Sequence, residues 1–342
     1  MNADVIETAR ALIAGDKGLL AMDESNATCN KRFATLDIAQ TEGMRRKYRE
    51  LIITTPGLAN SISGVILYDE TIRQKTKDGT PFLKVLANAG IMVGIKVDIG
   101  AKDLAGHPGE KITEGLDGLR ERLQGYFTMG ARFAKWRGVI AIGENIPSPG
   151  CIAANAHALA RYAALCQEAG LVPIVELEVL MDGDHNLEQS RQTTEDILHA
   201  VFDALYLQRV ALEGVILKPN MILSGLNYAT QASVDEVAEA TVNSLLRVIP
   251  AAVPAIAFLS GGQPAELATA HLNAMNTIFK KAKSQPPWAL AFSFARAIQQ
   301  PALELWRGKD GNVPAAQQAL LHRAKCNQAA RRGEYTEAME TA

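Results

Sequence analysis

GVILKPN, residues 214–220, runs from three bulky apolar residues straight into a lysine and a proline. Val215, Ile216 and Leu217 fit a short buried strand. Burying an unpaired ammonium is so costly that a lysine ending such a strand must reach water along its stem, pair with a carboxylate, or give up its proton and be used chemically. ARFAKWR (131–137) and MVGIKVD (92–98) repeat the pattern, setting Lys135 and Lys96 inside apolar segments. Strands that end on charge are what a parallel barrel presents at its mouth.

Eight strand-like segments recur from end to end: 18–23, 64–68, 92–97, 131–137, 173–180, 214–220, 255–260 and 289–294. Between them lie helix-period stretches with readable ends. Gly130 and Gly170 are natural left-handed stops, and Ser233 with Glu236 has capping-box spacing. A terminal helix is expected over 314–332. Eight strands alternating with helices, with no linker or shift in composition, predict one (β/α)8 barrel domain over 1–342, with a short polar tail from about 333 to 342. A doubly wound sheet fits less well, because GLLAMDES lacks the glycine fingerprint of dinucleotide folds. The tail YTEAMETA has Tyr335 as its only aromatic and reads as frayed.

The 342 residues are 48% hydrophobic and 21% charged, enough for a substantial core, and point to a soluble globular protein. A formal charge of -2 with both signs mixed argues against a nucleic-acid footprint or a polybasic membrane anchor. No apolar run has spanning length, and the start lacks a signal-peptide layout, so a cytoplasmic protein is expected. The four cysteines show neither metal-ligand spacing nor a disulfide framework, and the six histidines form no pair at zinc spacing. No metal or other cofactor is expected. Asp182, Asp184 and Asn186 mimic the start of an EF-hand loop, but Leu187 and Thr193 stand where glycine and glutamate belong.

In a barrel, chemistry sits at the C-terminal ends of the strands. There the sequence places Asp23, Lys96, Lys135 with Arg137, Glu176 with Glu178, Lys218, Ser260 and Ser293. Alternation puts Glu176 and Glu178 on one face of their strand, and Lys135 and Arg137 on one face of theirs. Each has a plainer reading: the lysines and glutamates as mutual ion pairs, Asp23 as a helix cap. Convergence of so many charges on one end of one barrel is an expensive way to obtain stability, which favours chemistry. FLSGGQP adds an anion signal, with Ser260, Gly261 and Gly262 leading into a helix whose first turn should hold Pro264. Arg296 follows the eighth strand, where barrel phosphate sites commonly lie.

A lysine desolvated and close to another cation, for which Lys135 is the candidate, is a free amine able to attack a carbonyl. The resulting iminium ion withdraws electrons and permits cleavage one carbon further on without a metal. Proton transfer needs a carboxylate, and Glu176, Glu178 and Asp23 are available.

LAMDES, GIKVD, FAKWR, VELE, LKPN, FLSGGQ and FSFAR, in this order over roughly residues 5–335, closely resemble the class I fructose-bisphosphate aldolases. That resemblance implies a metal-independent lyase of glycolysis and gluconeogenesis acting on sugar phosphates, and a homotetramer. By it, Lys218 is the Schiff-base lysine, Lys135 and Glu176 assist carbinolamine and proton-transfer steps, Asp23 orients substrate hydroxyls, and Glu178 supports the lysines. Ser260, Gly261, Ser293, Arg296 and the Ala295 amide would serve the phosphate on the ketose C1 side. Lys96, Arg137, Ser25 and either Lys31 or Arg32 would serve the other phosphate or its sugar. The family's VEPE is VELE here and its FSYGR is FSFAR. The C-terminal tyrosine of the animal enzymes is missing, which leaves Glu176 as the candidate for protonating the enamine. Other Schiff-base barrel enzymes, such as transaldolase or deoxyribose-phosphate aldolase, and a non-catalytic binding barrel are the alternatives.

Overall fold

In the computed structural model, which describes residues 3–283 and 285–341, the eight apolar segments pair side by side into a closed parallel barrel. Residues 1, 2 and 342, at the ends of the expected domain, and residue 284 lie outside the described residues. In chain order the strands are β1 (Gly18–Ala21), β2 (Ile62–Leu67), β3 (Met92–Lys96), β4 (Gly100–Asp103), β5 (Lys111–Glu114), β6 (Phe133–Ile140), β7 (Val172–Val179), β8 (Ile216–Pro219), β9 (Ala255–Phe258) and β10 (Ala289–Phe294). The ring runs β1-β10-β9-β8-β7-β6-β3-β2, and β4 and β5 form a separate antiparallel hairpin between β3 and β6. This hairpin is an addition to the eight expected strands. Most of its residues are exposed, and with only Ala101 and Ile112 carrying apolar side chains it has no apolar period to read.

Alternate residues of each strand face the barrel axis, and those faces change character along their length. Near the N-terminal end they are apolar: Ala21, Phe133, Ile174, Ile216 and Ala291 belong to one buried cluster with Val5, Ala9 and Leu12 of the first helix, Ala3–Leu12. That helix closes the bottom of the barrel. Two residues further along the same five faces stand Asp23, Lys135, Glu176, Lys218 and Ser293, all buried. Strand period alone thus carries each chain from packed floor to chemical mouth. Gly94 in β3 serves the floor: a Cβ there would run into the Phe133 ring. The outward faces, with Trp136, Leu177 and Leu217, are buried under the surrounding helices. Each such side chain contributes roughly 1.5–3 kcal/mol of hydrophobic stabilisation.

The expected helix punctuation is present. Gly130 and Gly170 take positive φ, 115° and 77°, and Ser233 and Glu236 form a reciprocal capping box on Val234–Val248. The terminal helix spans Val313–Arg331. The tail departs from expectation. Instead of fraying, it forms a short 3₁₀ helix, Glu337–Thr341, with Tyr335 buried and Met339 packed against the core. Its anchor is an ion pair between Glu340 and Arg323, a buried arginine of the terminal helix. A charge pair of this kind leaves no apolar signal in the tail itself.

Candidate active site

The charged layer is built around one carboxylate. Register places Glu176 of β7 beside Lys218 of β8, and Lys218 Nζ lies 3.1 Å from Glu176 Oε1. The other oxygen, Oε2, is 2.8 Å from Lys135 Nζ, which is also 2.7 Å from Asp23 Oδ2. Glu176 therefore bridges two ammonium positions, and Asp23 engages the one from β6. Asp23 is not a helix cap: Ser25 takes that place, accepting from the Thr28 amide at 3.3 Å.

These contacts set the two lysines apart. Burial disfavours the charge of both. For Lys135, Asp23 and Glu176 outweigh burial and raise its pKa well above that of an ordinary lysine. For Lys218, burial prevails, Glu176 offsets only part of it, and the Lys135 charge adds to the lowering, so its pKa falls below the ordinary value. Burial pushes the carboxyls of Glu176 and Asp23 upward, but the neighbouring lysines overcome it and hold both below the usual carboxylate range. One lysine is locked as a cation; its neighbour is biased toward the free amine.

Two acids beyond this centre have fixed partners. Glu178 Oε2 accepts from Arg137 Nε at 2.6 Å, which ties the guanidinium across the mouth. Asp98, buried after β3, pairs with Lys96 and accepts from the Arg137 amide at 3.2 Å. Asn220 explains the last letter of GVILKPN: its Oδ1 accepts from the Val179 amide at 2.9 Å, bracing the end of β7. Asp98, Asn220 and Glu24 were not singled out from sequence, although all three lie within the quoted segments. The Glu24 side chain, 7% exposed, is held between Arg49, at 2.8 Å, and Arg32, at 2.5 Å. A local pattern shows such residues but not the distant arginine or amide they meet.

A cavity of about 1280 Å³ opens over the cluster. Ser260, Gly261, Gly262, Ser293, Ala295 and Arg296 line it from β9, β10 and the segments after them, Lys96 and Arg137 from β3 and β6, and Ser25 and Arg32 from the segment after β1. Gly261 and Gly262 have φ of 58° and 90°, and a Cβ on Gly262 would lie 2.7 Å from Arg296 Nη2. The loop thus needs glycine both for conformation and for the arginine's approach. Ser293 Oγ is buried and has no hydrogen-bond partner, so a donor or acceptor is available to a ligand. Pro264 sits at the cap position just before the helix Ala265–Ala282, one residue earlier than expected. Lys31 does not belong to this group. It lies on the exposed side of the helix Asn26–Ala34, and only its neighbour Arg32 lines the cavity, as consecutive helical residues point about 100° apart. Asn186, from the discarded calcium pattern, caps the helix Leu187–Leu207.

In the cavity, among the described residues, no three His, Cys, Asp or Glu side chains lie close enough together to share an ion. Among the described residues one such group is close enough to share an ion, His322, Cys326 and Glu340 on the terminal helix and tail, a histidine–cysteine pairing that counting histidine pairs did not find.

A closed (β/α)8 barrel with a lysine–carboxylate cluster at its mouth, under a cavity also lined by arginines, serines and glycines, has the layout of a barrel enzyme's active site. Comparison with known proteins narrows this. A family model described as fructose-bisphosphate aldolase class-I matches residues 4–342. A probable fructose-bisphosphate aldolase class 1 of Xanthomonas campestris is 58% identical over 330 residues, covering 96% of this chain and 97% of the relative. The Arabidopsis thaliana protein named fructose-bisphosphate aldolase 6, cytosolic, is 51% identical over 332 residues, covering 97% and 91%. A solved structure of fructose-bisphosphate aldolase from Plasmodium falciparum matches with a TM-score of 0.94 at 43% identity, covering 97% and 95%. The chain belongs to the class I fructose-bisphosphate aldolase family, a family of lyases. Among the described residues, no helix is long and apolar enough to cross a membrane.

Proposed function

We propose that Lys218 forms a Schiff base with C2 of fructose 1,6-bisphosphate and that the enzyme cleaves the C3–C4 bond reversibly to dihydroxyacetone phosphate and glyceraldehyde 3-phosphate. The observation that carries this reading is the Glu176 carboxylate set between one lysine with a raised pKa and one with a lowered pKa. The Lys218 amine adds to the carbonyl carbon, and its proton passes through Glu176 to the carbinolamine hydroxyl, which leaves as water. The iminium ion then accepts the C3–C4 electron pair as Asp23 takes the proton of the C4 hydroxyl. Glyceraldehyde 3-phosphate departs and an enamine remains. Lys135, in contact with both acids, gives a proton to Glu176 as it takes the one held by Asp23; Glu176 delivers it to C3, and water then releases dihydroxyacetone phosphate and restores the Lys218 amine. Lys135 keeps Glu176 and Asp23 ionised between steps. Glu178 is held by Arg137 and acts on the lysine network through it.

Ser260, Gly261, Ser293, Arg296 and the Ala295 amide hold the C1 phosphate. Lys96, Arg137, Ser25 and Arg32 serve the other phosphate or its sugar. Two cationic ends favour a bisphosphate over the substrates of transaldolase or deoxyribose-phosphate aldolase, and a binding scaffold has no use for the split lysine pair. We further read the chain as one barrel domain that works in the cytoplasm as a homotetramer. The test is turnover of fructose 1,6-bisphosphate. The native chain should cleave it, while Lys218→Ala and Glu176→Gln should lower kcat by more than about a thousandfold and about a hundredfold respectively. A Lys218→Ala variant with native kcat would overturn the reading.

A further inference from the structure

On the helix Val313–Arg331, His322 and Cys326 are four residues apart and so share a face. Cys326 Sγ lies 3.6 Å from His322 Nε2, and His322 Nε2 lies 3.6 Å from Glu340 Oε2 in the tail. All three donor atoms fall within 4.8 Å of one another. In a tetrahedral zinc site, with Zn–S about 2.3 Å and Zn–N or Zn–O about 2.0–2.1 Å, ligand atoms are about 3.3–3.6 Å apart. Two of the three edges already have nearly this length.

We propose that His322, Cys326 and Glu340 bind a thiophilic divalent cation, Zn²⁺ in particular, which clips the C-terminal segment to the terminal helix. A thiolate, an imidazole and a carboxylate form a donor set suited to zinc and poorly suited to Mg²⁺ or Ca²⁺. The surroundings supply the second layer that metal ligands need. Tyr335 donates its hydroxyl to Glu340 Oε1 at 2.7 Å, and Arg323 pairs with Oε2. Arg323 is itself fixed, donating to Ala265 O at 3.1 Å and Thr269 Oγ1 at 2.6 Å. The carboxylate is therefore aimed before any ion arrives. The His322 side chain is 32% exposed, which leaves an entry path and room for water as the fourth ligand.

Charge sets the conditions for binding. Burial and Glu340 push the Cys326 thiol up to about 11, so the cation must displace the thiol proton to solvent. Glu340 is held ionised by Arg323 and Tyr335. Arg323 opposes a second cation, Glu266, 4.0 Å from its guanidinium, partly offsets that, and the new thiolate with Glu340 balances the ion's two charges. Loss of one proton per ion makes affinity rise about tenfold per pH unit below the thiol's pKa.

The experiment is a titration of the full chain, stripped with chelator and kept reduced by a phosphine, first with Co²⁺ and then with Zn²⁺. The expected result is one equivalent of Co²⁺ per chain with thiolate-to-cobalt charge-transfer absorption, lost on adding Zn²⁺. Cys326→Ser should abolish the absorption, and Glu340→Gln should weaken binding by at least about tenfold. His322→Gln, at a partly exposed position that leaves the buried packing intact, should weaken it similarly and keeps the test valid should the serine variant misfold. No charge-transfer absorption at saturating Co²⁺, or absorption unchanged in His322→Gln, overturns the proposal; the second result would place cobalt on Cys29, Cys151 or Cys166 instead.

Discussion

Lys135 and Lys218 contact opposite oxygens of one carboxylate, and both are buried. Their difference comes from Asp23, whose Oδ2 lies 2.7 Å from Lys135 and gives it a second anion. The pH dependence of iminium formation follows from this. Only the neutral amine attacks, and a lowered pKa enlarges its fraction near neutrality, so the single-turnover rate should rise with pH up to the lowered Lys218 pKa and then stay flat. An unperturbed lysine would keep rising to about pH 10.4. Rapid-quench measurement of iminium formation across this range checks the point, and a rise continuing to that value contradicts it. Lys218→Arg should be as inactive as Lys218→Ala in the cleavage assay, since arginine keeps its proton. Residual cleavage well above that of the alanine variant would show that charge, not nucleophilicity, is required.

The loops and the tail act as elements. Replacing Gly262 with alanine strains a residue at φ 90° and brings a methyl to 2.7 Å from Arg296 Nη2. Strain of roughly 1–2 kcal/mol should raise KM for fructose 1,6-bisphosphate about tenfold with a smaller effect on kcat. Steady-state kinetics of Gly262→Ala test this; an unchanged KM would remove the loop from phosphate binding. Deleting residues 336–342 takes Glu340 from Arg323 and leaves a buried guanidinium without its partner, a loss of about 3 kcal/mol. Calorimetry should show Tm lowered by a few degrees. Cleavage should change less than about tenfold, because in the proposed mechanism Glu176 carries the enamine proton. A larger loss of activity with Tm unchanged would place a tail group in the chemistry. The strands were legible because each is an apolar run, most with a polar residue at or near the C-terminal end, and period two fixes which side chains share a face. The hairpin β4–β5 and the tail anchor were not, since one has too few apolar residues to show a period and the other depends on Arg323, a dozen residues before Tyr335. Lys31 and Arg32 could not be told apart until the helix's rotation was known.

At the scale of the whole molecule, the barrel is a layered object, with apolar faces packed on the first helix below and the same faces charged above. The cluster is legible in the sequence as a set of strand ends but not as a network, because the links Lys135–Asp23 and Lys218–Glu176 join strands far apart in the chain. Cleavage should proceed unchanged in EDTA, since the one candidate metal cluster among the described residues lies outside the cavity. Activity lost in chelator and restored by zinc would contradict a lysine-based electron sink. The most direct test of that sink is to reduce the enzyme with borohydride in the presence of dihydroxyacetone phosphate and map the modified peptide. The account predicts one adduct per chain, on Lys218, with loss of activity in proportion to labelling. An adduct on Lys135 or any other residue, or full activity with no adduct, would contradict it.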